Sequence, residues 1–168
     1  MRFLEIFYSL FIVLKGPRRI GKRRLLEEFG HCFKKTFTFS GLPPVEKTTK
    51  NSQKEEFSGQ LRRQITSTSL IQSNDWSDLF WQLESHIGQD STLVILDEIS
   101  WMGSCDLYFR KNDKLVFAIC GSSSAWIDKN ILSSTGFLGR ESLTLTLEEL
   151  PLCDCSEFSN FEKKSISS

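Results

Sequence analysis

The chain has 168 residues, enough for one domain with one sizeable core, and its 39% apolar, 25% charged and 12% aromatic content is that of a globular protein. Lys and Arg together number 21, as do Asp and Glu, so no overall charge argues for nucleic acid. Five cysteines leave one over in any disulfide scheme, none forms a CxxC, and only His31 and His86 could join them at a metal; reduced thiols in a cytoplasmic protein are expected.

The opening MRFLEIFYSLFIVL sets Arg2 before an apolar run, as a secretory leader does. Glu5 interrupts that run, no small-residue cleavage site follows, and it falls short of the about 20 residues that cross a bilayer. Phe11 to Leu14 instead reads as a buried strand ended by a glycine loop. Leu25, Leu26 and Phe29 then recur at helical spacing from Lys22 onward, with Gly30 as the stop. KKTFTFSGLPP alternates Phe37 and Phe39 with polar residues before a turn, a second strand. Residues 45–73 are polar, with one amphipathic helix expected around Phe57, Leu61 and Gln64. NDWSDLFWQLESHIG predicts a helix capped at Asn74 or Asp75, with Trp76, Leu79, Phe80, Leu83 and Ile87 on its core face. Leu93 to Leu96, Leu115 to Cys120 and the alternating Leu143, Leu145 and Leu147 are three further strands, and the chain from Ser156 is expected to fray.

Strands alternating with helices predict an α/β domain with a mainly parallel sheet, whose ligands sit at the carboxyl ends of the strands. Three of those ends carry chemistry. After the first strand, Gly16, Pro17, Arg18, Arg19, Ile20, Gly21, Lys22 and Arg23 have the GxxxxGK spacing of a phosphate cradle. Its glycines free the backbone so that N–H groups converge on an anion, the helix start adds positive potential, and Lys22 supplies a point charge. The bland alternative is a two-glycine turn beside a solvated basic face. Asp97 and Glu98 follow the apolar run 93–96, where an aspartate would hold Mg²⁺ and the glutamate would orient or deprotonate a water; solvated acids at a strand end are the alternative. Ser122, in ICGSS, either senses a terminal phosphate or caps the next helix, and Arg140, in STGFLGR, either stabilises charge or is a surface arginine.

GPRRIGK, LVILDEISWMG, CGSSSAWIDKNILSSTGFLGR and LTLTLEELPLCDC together resemble the prokaryotic and archaeal P-loop ATPase family, relatives of the AAA+ and STAND NTPases, from about Phe11 to Phe158. The resemblance implies a three-layer P-loop NTPase fold with a five-stranded parallel sheet in the order 5-1-4-3-2, and one domain over residues 1–158 followed by a tail, 159–168. It implies ATP and Mg²⁺ as ligands, with Gly16, Gly21 and Lys22 on the phosphates. Asp97 is then the metal ligand, Glu98 the catalytic base, Ser122 the sensor and Arg140 the loop arginine.

Three departures stand against that pattern. Arg23 replaces the hydroxyl that would touch Mg²⁺, and arginine has no acceptor atom; it predicts surviving nucleotide binding with weaker Mg²⁺ dependence and reduced turnover. The crossover from Ser104 to Lys114 is short for parallel neighbours. A lid after the last strand is expected to be missing. The functional expectation is therefore an ATP-binding domain with or without hydrolysis. A non-hydrolysing nucleotide-binding module and a nucleic-acid-associated protein using Lys15 to Arg24, Lys34 and Lys35 are the alternatives. Nucleotide is the expected partner, self-association or a protein partner stays open, and no membrane association is expected.

Overall fold

The computed structural model describes residues 10–65, 75–102, 114–133 and 142–149. Five strands, β1 (Leu10–Lys15), β2 (Lys35–Ser40), β3 (Thr92–Asp97), β4 (Leu115–Cys120) and β5 (Leu143–Thr146), form one sheet in the order β2-β3-β4-β1-β5. Every neighbouring pair is parallel, which is the expected 5-1-4-3-2 order. The short crossover closes, since β3 and β4 pair from Thr92↔Leu115 to Leu96↔Ile119.

The central strands are apolar along their whole length because both faces are covered. Leu93, Ile95, Val116, Ala118, Cys120 and Leu14 point to one face, where helix α1 (Lys22–Gly30) inserts Leu26. Val94, Leu96, Leu115, Phe117, Ile119, Phe11 and Val13 point to the other, under α2 (Lys50–Ile65) and α3 (Trp76–Ile87). The short helices α4 (Ile99–Met102) and α5 (Ser124–Ile127), the latter running into a π-helical turn at Asp128–Leu132, complete that larger layer. Trp76, Leu79, Phe80, Leu83 and Ile87 are all buried, as the spacing predicted. Phe57 stacks on Phe39 with ring centroids 4.1 Å apart and meets Trp76 and Phe80 edge-on, so one aromatic cluster fixes both helices to β2.

One leucine expectation fails in detail. Leu25 is 44% exposed and only Leu26 of the predicted stripe reaches the core; Phe29 instead packs edge-on against Phe33. A helix that lies on the sheet with one narrow contact needs one apolar residue per turn there, not two. Leu143 and Leu145 fall in β5, as their alternation predicts, and both are exposed on this edge strand, which has a partner, β1, on one side only.

The opposite edge is closed by side chains. Gln53, Gln60 and Gln64 share a face of α2, and each carboxamide pairs with both backbone groups of one residue on the β2 edge or, for Leu42, just beyond it. Their Oε1 atoms accept the N–H of Leu42, Ser40 and Thr38, each at 2.8 Å. Their Nε2 groups donate to the carbonyls of the same residues at 2.8, 2.9 and 2.8 Å. The three amides thus imitate a neighbouring strand and satisfy an edge that would otherwise template association. Gln60→Leu is expected to lower the unfolding free energy by about 1–3 kcal/mol, because the half-buried N–H and C=O of Ser40 lose their partners. A urea titration would read this as a lower midpoint at unchanged slope, and Gln64→Leu, at the more exposed end, should cost less.

Candidate functional site

The backbone leaving β1 takes three left-handed turns in six residues, with φ of 144° at Gly16, 63° at Arg19 and 89° at Gly21. At Gly16 the turn is obligatory, since a Cβ there would lie 2.5 Å from the Leu147 carbonyl oxygen. Gly21 is the N-cap of α1 and offers no side-chain cap. The first helical bond runs from the Leu25 N–H to the Gly21 carbonyl at 2.9 Å, so the N–H groups of Lys22, Arg23 and Arg24 open toward the loop. The first turn of α1 carries these three cations and no acid, the reverse of what a helix dipole favours. An anion at this point would relieve that arrangement.

Lys22 is buried, 7% exposed, and its Nζ donates to the carbonyls of Gly16 at 2.7 Å and Pro17 at 2.5 Å. The ammonium therefore sits inside the loop, held by neutral acceptors. Lys15, at the end of β1, is engaged elsewhere, 2.7 Å from Asp128.

The carboxyl end of β3 faces this loop. Asp97 Oδ1 accepts the Glu98 N–H and the Cys120 thiol, both at 3.0 Å. Burial, followed by the Asp97 charge, pushes the Cys120 thiol far above its ordinary value, so it remains a protonated donor. Asp97 Oδ2 lies 3.8 Å from Arg23 Nη1. The same guanidinium donates through Nε to Glu27 at 2.8 Å and through Nη1 to Ser40 at 3.2 Å. Its pKa is raised, chiefly by the Glu27 hydrogen bond; partial burial opposes this and the Asp97 charge adds to it.

Glu98 adopts φ 51°, a left-handed conformation uncommon outside glycine. Its Oε2 accepts from the Ser122 hydroxyl at 3.1 Å and the Ser122 N–H at 3.4 Å. Arg18 Nε–H in turn donates to the Ser122 oxygen at 3.2 Å, and its guanidinium lies 5.8 Å from the Trp101 ring centre. Loop, β4 end and Glu98 are thus joined by one chain of contacts.

Arg18, Arg19, Ile20, Gly21, Lys22, Arg23, Asp97 and Glu98 line a single open cavity of about 320 Å³. Ser122 adjoins it through Glu98, Pro17 contributes its carbonyl, and Gly16 forms the neck of the loop. Arg140 lies outside the described residues. Cys120, Ser40 and Trp101 are participants that the sequence reading did not single out. Ser40 pairs in register with Asp97, and Cys120 follows Ile119, the partner of Leu96, so the three share one row of strand ends.

No protein-family model and no curated relative matches the sequence. Among solved structures, the chain is similar to the ORC2 protein of Aeropyrum pernix in its ADPNP–ADP complexes, with a TM-score of 0.64 at 13% identity. The ADP form of the same protein gives a TM-score of 0.61, also at 13% identity. Both superpositions cover 94% of this chain and 47% of the other, so the chain spans about half the length of those proteins. The fold is the three-layer α/β fold of P-loop NTPases. Among the described residues no helix is long and apolar enough to cross a membrane.

The donor set does not fit Mg²⁺. That ion demands near-octahedral oxygen ligands at about 2.0–2.1 Å, yet position 23 offers no oxygen and places a guanidinium beside Asp97.

Proposed function

We propose that the chain is a nucleoside-triphosphate-binding domain, with ATP as the ligand, that holds its nucleotide with little or no turnover. The observation that carries this reading is the shared cavity: a left-handed glycine loop, an uncapped cationic helix start and the buried Lys22 face Asp97 and Glu98 across it. Backbone N–H groups and Lys22 would take the phosphates, as in other anion sites at helix starts. The ORC2 neighbours are complexes with ADP and ADPNP, which supports an adenine nucleotide.

Glu98 would be the group to orient a water, but its Oε2 is held by Ser122. Asp97 is paired with Arg23 in place of a metal-facing hydroxyl. Both contacts favour binding over hydrolysis. A nucleic-acid role for the basic stretch is weaker, because Lys22 is turned into the loop and Arg23, Arg24, Lys34 and Lys35 are each paired with an acid.

Titration with ribose-labelled fluorescent ATP tests the reading. Saturable binding, displaced by unlabelled ATP and by inorganic triphosphate, is expected, with phosphate release far slower than nucleotide exchange. Absence of saturable binding, or salt-sensitive DNA binding that ATP does not compete away, would defeat it.

A further inference from the structure

We propose that Arg23 is a fixed cation replacing the metal at this site, so that the chain takes the metal-free nucleotide and Mg²⁺ weakens its binding. This rests on the phosphate-cradle reading above and adds how that cradle is charged.

Three contacts from three elements hold the guanidinium in place. Glu27, one turn along α1, accepts from Nε; Ser40, at the end of β2, accepts from Nη1; and Asp97, at the end of β3, lies 3.8 Å from the same nitrogen. Asp97 is itself fixed by the Glu98 N–H and the Cys120 thiol, so the carboxylate that would otherwise recruit a cation is turned toward Arg23 and supplied with donors. Arg23 lines the same cavity as Lys22 and the loop. Its guanidinium is planar, permanently charged and carries five N–H donors, so it can bond a phosphate oxygen while keeping its acidic partners.

A metal ion entering between the nucleotide and Asp97 would meet this positive charge and would have to displace it. In solution, Mg²⁺ also removes two negative charges from the nucleotide. The cavity lining carries four cations, Arg18, Arg19, Lys22 and Arg23, against the two acids Asp97 and Glu98, an excess matched to the more negative, uncomplexed ligand. Both effects carry the same sign, opposite to that expected where a hydroxyl follows the loop lysine.

The labelled-ATP titration is run on the full chain with EDTA and again with excess Mg²⁺, for wild type, Arg23→Thr and Arg23→Lys. For wild type, binding is expected to be about two- to fivefold tighter in EDTA, the scale of one exposed ion pair. Arg23→Thr should reverse the order, with Mg²⁺ tightening binding, whereas Arg23→Lys, which keeps a cation, should preserve it. The lysine variant guards against a threonine variant that fails to fold, which circular dichroism would reveal. Tighter binding of wild type with Mg²⁺ overturns the inference and leaves the phosphate cradle standing. The same ion dependence in Arg23→Thr as in wild type removes Arg23 as its cause. Binding by wild type in neither condition overturns the cradle, and this inference with it.

Discussion

Lys22→Ala lowers affinity for ATP by about 10- to 100-fold, the equivalent of one or two charge-assisted hydrogen bonds. The size of the effect follows from where the ammonium lies. Its distance from bulk water strengthens any interaction with phosphate, and its described partners are the neutral carbonyls of Gly16 and Pro17, which a phosphate oxygen can outcompete. Folding stability should change far less, because removing a buried cation offsets the loss of those two bonds. The combination separates a ligand-binding role from a purely structural one: a structural lysine would lower the melting temperature and leave no specific mark on affinity. Titrations of wild type, Lys22→Ala and the near-isosteric Lys22→Met provide the comparison. Equal affinity for all three would remove Lys22 from the phosphate site.

Patterns that depend on one segment were legible in the sequence. The face of α3 appeared residue by residue, since Trp76, Leu79, Phe80, Leu83 and Ile87 are buried by helix geometry alone. β4 begins and ends at the predicted Leu115 and Cys120. Partners that depend on how segments meet were hidden. Arg23 was visible as a missing hydroxyl, but its three contacts lie on α1, β2 and β3. Cys120 looked like one more core thiol, because its contact with Asp97 requires β3 and β4 to be neighbours in a particular register. The glutamines at 53, 60 and 64 have the spacing of a helix face, yet polar residues on such a face normally imply solvent; only the position of α2 along the β2 edge makes them strand substitutes.

Gly16→Ala is the more damaging of the two glycine substitutions in the loop. Both Gly16 and Gly21 have positive φ, so alanine at either position incurs backbone strain of about 1–3 kcal/mol. The surroundings differ. A Cβ at Gly21 meets nothing within 4 Å, whereas at Gly16 it falls 2.5 Å from the backbone oxygen of Leu147, which cannot swing aside as a side chain can. Leu147 is itself tied to β1, its N–H bonded to the Lys15 carbonyl at 2.9 Å, so relief by moving it would loosen the pairing of β5 with β1. Adding a further ~1–3 kcal/mol for overpacking, Gly16→Ala should lower the melting temperature by about 10 °C, and Gly21→Ala by about half of that. Because Gly16 is also the neck from which the Lys22 acceptors are presented, the first variant should lose nucleotide affinity as well. Thermal melts of the two variants side by side decide the matter: equal, small shifts would mean that Leu147 does not press on the loop.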